Sequence, residues 1–81
     1  MDTRIAVLSI IVENTEQSQH LNELIHIYAP YVVGRMGIPY PKKGINIISI
    51  VLDAPQTKIS ELSGRIGRLE GVTAKVAYAK V

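Results

Sequence analysis

The sequence contains no cysteine, which removes disulfides, thiolate metal sites and cysteine nucleophiles together and leaves the compartment to other features. It also lacks tryptophan and phenylalanine, and none of its four tyrosines falls in its two most apolar stretches. The base-stacking platform of RNA-recognition sheets is therefore missing. Between Arg4 and Glu13 only eight apolar or small residues follow one another, too few to span a membrane and with no small-residue cleavage site. A cytoplasmic protein is expected. Nine Lys and Arg face seven Asp and Glu, a formal charge of +2, with the signs scattered, so no broad electrostatic nucleic-acid surface is expected. Basic residues gather only at Lys42 and Lys43 with Arg35 nearby, and at Arg65 and Arg68. A solvated turn and a solvated helix face explain both.

What is present is ordinary globular composition, 47% hydrophobic and 20% charged, without low-complexity stretches or an evident linker. A chain of 81 residues forms one domain, 1–81, that buries roughly two-thirds of its unfolded surface, so its stability is marginal and association would help.

Arg4–Val12 is the first strand, and both of its alternating sets are mainly apolar, which predicts cover on both faces. Asn14 is placed as a helix N-cap, with Gln17 completing the amide form of a capping box and Glu16 in the first turn. Leu21, Leu24, Ile25 and Tyr28 form that helix's apolar face, and Pro30 ends it. Residues 31–38 form a weaker strand whose Gly34 and Gly37 predict a bulge or a close backbone approach, suited to a sheet edge. Residues 39–44 turn the chain. The β-branched run 45–52 follows as a strand buried in the middle of a sheet. Thr57 is the expected N-cap of a second helix with the stripe Ile59, Leu62, Ile66 and Leu69, and Gly71 is its expected C-cap. Beside that stripe run Ser60, Ser63, Gly64 and Gly67, and each helical glycine costs roughly 1 kcal/mol relative to alanine. Close packing against the first helix is the expected offset; a small molecule or partner on bare backbone is the alternative. Residues 72–81 form the last strand, with Val72, Ala74, Val76 and Tyr78 on one face.

The order β-α-β-β-α-β predicts an α+β fold, a ferredoxin-like sandwich with a four-stranded antiparallel sheet, two helices on one face and strands one and three central. Helices on one side leave the other side of the sheet open, where a monomer should be polar. Either choice of outward set is aliphatic. The open face is accordingly expected to be a homo-oligomer interface, with Ile5, Val7, Ile11, Ile45, Ile47 and Val51 as candidates.

Chemistry is harder to find. His20 and His26 point about 120° apart at ~100° per helical residue and cannot share a metal within one chain. Glu16, His20 and Glu23 share a helical face that a neighbouring subunit could complete, but an exposed polar surface is the expected reading and no metal site is assigned. No G-x-S-x-G, Walker, H-E-x-x-H or G-x-G-x-x-G motif occurs, and no enzyme is expected. A copper-chaperone C-x-x-C is missing. So is the arginine that acylphosphatases carry in the first strand-to-helix loop, where this chain has Glu13, Asn14 and Thr15.

The run Gly34-Arg35-Met36-Gly37-Ile38-Pro39, then Lys43-Gly44-Ile45, then IISIVLDAP at 47–55 and LSGRIGRLEGV at 62–72, resembles the family of small iron-only hydrogenase system regulators over nearly the whole chain. These are similar to the ACT-like ligand-binding domain of nickel-responsive transcriptional repressors. The resemblance implies an ACT-like form of the fold and a role in transcriptional or hydrogenase-system regulation, through ligand binding and oligomer packing. Those repressors carry a ribbon-helix-helix segment and a cysteine-containing metal site; with neither in this sequence, direct nucleic-acid binding is not expected, and regulation would pass through a partner or a sensed ligand. By topology, the ACT-like ligand site corresponds to Glu13, Asn14 and Thr15, with Arg35 a further candidate. Free backbone N–H groups at the start of the first helix would suit a small anion there. Whether the ligand is a small molecule or a metal stays open, and no cofactor is identified. The alternatives are a protein-binding module without ligand and an enzyme of dimeric α+β barrel type. Polar, titratable residues on the open face would favour the last.

Overall fold

The computed structural model of the protein describes residues 2–80. Its elements are β1 (Arg4–Val12), α1 (Ser18–Ile27), β2 (Val32–Tyr40), β3 (Ile45–Ala54), α2 (Gln56–Gly67) and β4 (Val72–Tyr78), with single 3-10 turns at Thr15–Gln17 and Ala29–Tyr31. The sheet is antiparallel in the order β2-β3-β1-β4. β1 and β3, the two most apolar strands, are central, and the fold is the ferredoxin-like βαββαβ arrangement. No helix among the described residues is long and apolar enough to cross a membrane.

Alternation along β1 sends Ala6, Leu8, Ile10 and Val12 under the helices, where all four are buried. Ile50, Leu52 and Ala54 of β3 join them, and from above come Leu21, Ile25 and Tyr28, then Ile59, Leu62 and Ile66. Each such aliphatic side chain contributes roughly 1.5–3 kcal/mol by leaving water, so this one cluster is the main source of stability. The helical faces match those expected from i, i+3, i+4 spacing, with Leu24 and Leu69 only half-buried at its margin.

Several local expectations are corrected. Asn14 does cap, but its Oδ1 accepts from Glu16 N–H at 3.1 Å within a 3-10 turn, and Gln17 turns its Oε1 to His20 Nδ1 at 3.0 Å rather than back to the cap. No capping box forms. α2 begins at Gln56, not after Thr57: Pro55 fixes the entry with φ −56°, and its carbonyl accepts from Lys58 and Ile59 at 2.9 and 3.2 Å. The helix ends at Gly67 with Arg68 as its C-cap. Gly71 instead takes φ +73° in the following turn. Its carbonyl accepts from Glu13 and Asn14 N–H at 2.7 and 3.2 Å, which ties the start of β4 to the β1–α1 loop.

β2 runs on through Pro39 to Tyr40, because an edge strand has one neighbour and can seat a residue without an N–H where no ladder bond is needed. The anticipated bulge lies between Val32 and Gly34. The two glycines of α2 do not pack closely against α1: a Cβ at Gly64 or Gly67 would meet nothing within 4 Å. β4 ends at Tyr78, and Val81, expected at its end, lies outside the described residues.

Candidate functional site

The sheet presents two unlike surfaces. On the open side, the register aligns Ile38, Ile47, Ile11 and Thr73 in one row and Gly34, Val51, Val7 and Ala77 in another. Between them lies Met36, Ser49, Ser9 and Lys75, with Tyr40 and Ile45 paired beyond one end and Ile5 and Asp53 beyond the other. Val7, Ile11, Met36, Ile38, Tyr40 and Ile47 are 37–59% exposed, a contiguous aliphatic surface of the kind that soluble monomers rarely leave in water. All six residues named from the sequence (Ile5, Val7, Ile11, Ile45, Ile47 and Val51) lie on this face. Met36, Ile38, Tyr40 and Lys75 share the face without being among the candidates: Met36 and Ile38 lie inside the strand expected at 31–38, Tyr40 beyond its expected end, and Lys75 on the last strand. Alternation along the longer strand was the available signal.

On the helix side, α1 does not fully cover the β2 edge. A cleft of about 260 Å³ opens there, lined by Ser18, Leu21 and Asn22 of α1 and by residues of β2 and β3 that include Arg35, Gly37, Asn46 and Ile48. Arg35 pairs across the sheet with the buried Ile50, so alternation sends its side chain toward α1, where Nη2 donates to Asn22 Oδ1 at 3.1 Å. Asn46 Nδ2 reaches Ser18 Oγ at a long 3.5 Å. A neighbouring hollow of about 240 Å³ shares Asn22 and Arg35 and is closed by His26.

The expected β1–α1 loop site is not assembled in this way. Glu13 and Asn14 N–H donate to the Gly71 carbonyl, Glu16 N–H to Asn14 Oδ1 and Gln17 N–H to the Asn14 carbonyl. Four donors of this loop are engaged in that way, and none of Glu13, Asn14 and Thr15 lines the cleft that holds Arg35. Nor are Glu16, His20 and Glu23 brought together: His20 pairs with Gln17, Glu23 accepts from Gln19 at 3.2 Å, and among the described residues no group of three or more His, Cys, Asp and Glu could hold a metal ion.

The titration of Tyr28 is displaced from its ordinary range. Burial, and after it the hydrogen bond to Glu61, push the Tyr28 hydroxyl up. The Tyr28 hydroxyl donates to Glu61 Oε1 at 3.0 Å beneath the Arg65 guanidinium, 5.9 Å from its ring centre. That is a bond joining α1 to α2, remote from any reacting group.

Comparison with known proteins bears on what these surfaces serve. The TM1266-like family, described as "Iron-only hydrogenase system regulator, putative", matches residues 4–76, from the start of β1 into β4. An uncharacterized protein, TM1266 from Thermotoga maritima, has a solved structure that superimposes with a TM-score of 0.92 at 32% identity. The superposition covers 98% of this chain and 100% of that one. A comparison with curated proteins returned no match. With the match running across both helices and all four strands, the chain belongs to the TM1266-like family of iron-only hydrogenase system regulators.

Proposed function

We propose that this chain is a non-enzymatic regulatory domain that works as a homo-oligomer, two copies packing through their open sheet faces, and that it responds to a small-molecule ligand. The observation that carries the reading is the aliphatic face of β1, β2 and β3. Among the described residues of these three strands, Asp53 at one end is the charged member on that face, and Lys75 borders it from the edge strand β4. A surface of aliphatic rows related by a two-fold axis is self-complementary, and two such faces would enclose a dry interface. A reaction chamber between two sheets would need titratable groups facing inward, and in the middle of the two central strands Ser9 and Ser49 stand there, with Asp53 only at the end of β3. The family description, a regulator, points the same way. A small-molecule signal suits the donors at hand better than a metal, since the chain has no cysteine and its two histidines point apart.

Native mass spectrometry of the purified protein tests the assembly. The expected spectrum shows multiples of the 8.9 kDa chain. A monomer throughout would overturn the assembly. A thermal-shift panel of small organic acids giving no stabilisation would remove the sensing role and leave a protein-binding module.

A further inference from the structure

We infer that the cleft between α1 and the β2–β3 hairpin binds a small organic carboxylate, with Arg35 taking the carboxyl group and Ile48 with the bare Gly37 backbone the short apolar body. This rests on the proposal that the domain senses a small molecule, and it moves the site away from the β1–α1 loop.

Charge comes first. Arg35 lines the cleft, His26 closes the adjoining hollow, and no Asp or Glu lines either. The surroundings therefore favour an anion, and a divalent cation would find no carboxylate. Arg35 uses one of its five N–H donors, on Asn22, and a planar guanidinium fork matches a carboxylate with two parallel bonds. Ser18 and Asn46 offer a hydroxyl and an amide whose mutual contact, at 3.5 Å, is weak enough to give way to a ligand.

Shape comes second. Gly37 pairs with Ile48 on the helix side of the sheet, where a Cβ would meet nothing within 4 Å. Bare backbone thus forms part of the floor beside the half-buried Ile48. A volume of about 260 Å³ lies just below the range of drug-sized ligand sites, roughly 300–1,000 Å³, which suits an acid of a few carbons better than a nucleotide.

The test is a titration of the ¹⁵N-labelled protein, followed by NMR, with straight-chain carboxylates from acetate to hexanoate at constant ionic strength, and with butyramide as the uncharged control. Saturable shifts are expected at Ser18, Asn22, Gly37, Asn46 and Ile48 with the acids and not with butyramide. Arg35→Gln should weaken binding by about tenfold or more, the loss of a charge-assisted pair. Gly37→Val fills the open space with a strand-compatible side chain and should abolish binding while the rest of the spectrum stays native. Absence of saturation with every acid, or wild-type affinity in Arg35→Gln, would overturn the assignment. Repeating the titration on Val7→Glu, altered on the opposite face, separates the two proposals. Saturation there, together with a monomeric mass for the unaltered protein, would uphold the cleft while the assembly fails.

Discussion

Tyr28 sits at the C-terminal end of α1 with its ring among the core residues and its hydroxyl on Glu61 of α2. Because burial and then that bond favour the neutral phenol, its proton is held more tightly in the folded chain than in the unfolded one. The contribution is fully present below the ordinary phenol value of about 10 and is lost as pH rises through the higher folded value. Tyr28→Phe should cost about 1 kcal/mol at neutral pH, the net worth of one hydrogen bond. It should also flatten the alkaline fall in melting temperature relative to the unaltered protein, as measured by circular dichroism across pH. Equal alkaline slopes in the two proteins would remove Tyr28 from that role. Gly71 makes a second single-residue claim. Its φ is +73° and an added Cβ would stand 2.7 Å from Asn14 Cβ, closer than such atoms approach. Gly71→Ala should therefore cost about 1–3 kcal/mol in urea unfolding, and an unchanged midpoint would contradict the contact.

Among the elements, α2 offers the clearest prediction because its glycines face open space. Gly64→Ala should raise stability by about 0.5–1 kcal/mol, read as a higher thermal midpoint; a lower midpoint would restore the close packing that the sequence suggested. The strands and both apolar helix faces were legible in the sequence, since periods of two and of 3.6 read directly onto a sheet covered by helices. The centrality of β1 and β3 followed from their aliphatic content. Element ends were less legible. Thr57 was placed as a cap although Pro55, two positions earlier, already sets the helical entry, and Pro39 was read as a stop although an edge strand tolerates it. Of the cleft, only Arg35 is a candidate from the sequence, and its companions are not legible there. Ser18, Asn22, Arg35 and Asn46 come from three elements, and only the strand order and the limited reach of α1 over β2 bring them together.

At the scale of the whole molecule, β2 and β3 belong to both surfaces: their helix side floors the Arg35 cleft and their other side carries Met36, Ile38, Ile47 and Val51. A ligand that stiffened or shifted the hairpin would act on the face proposed to pack against a second copy, which would give sensing a physical route to assembly. A chain of 81 residues also gains directly by covering that face, at roughly 25 cal/mol per Å² of apolar surface removed from water. The most direct measurement is light scattering behind a sizing column at micromolar concentration, run on the unaltered protein and on Val7→Glu. The expected result is a multiple of 8.9 kDa for the first and a single chain mass for the second, with the same far-ultraviolet circular dichroism. An unaltered protein that elutes with the mass of one chain would contradict the open face as an interface between copies.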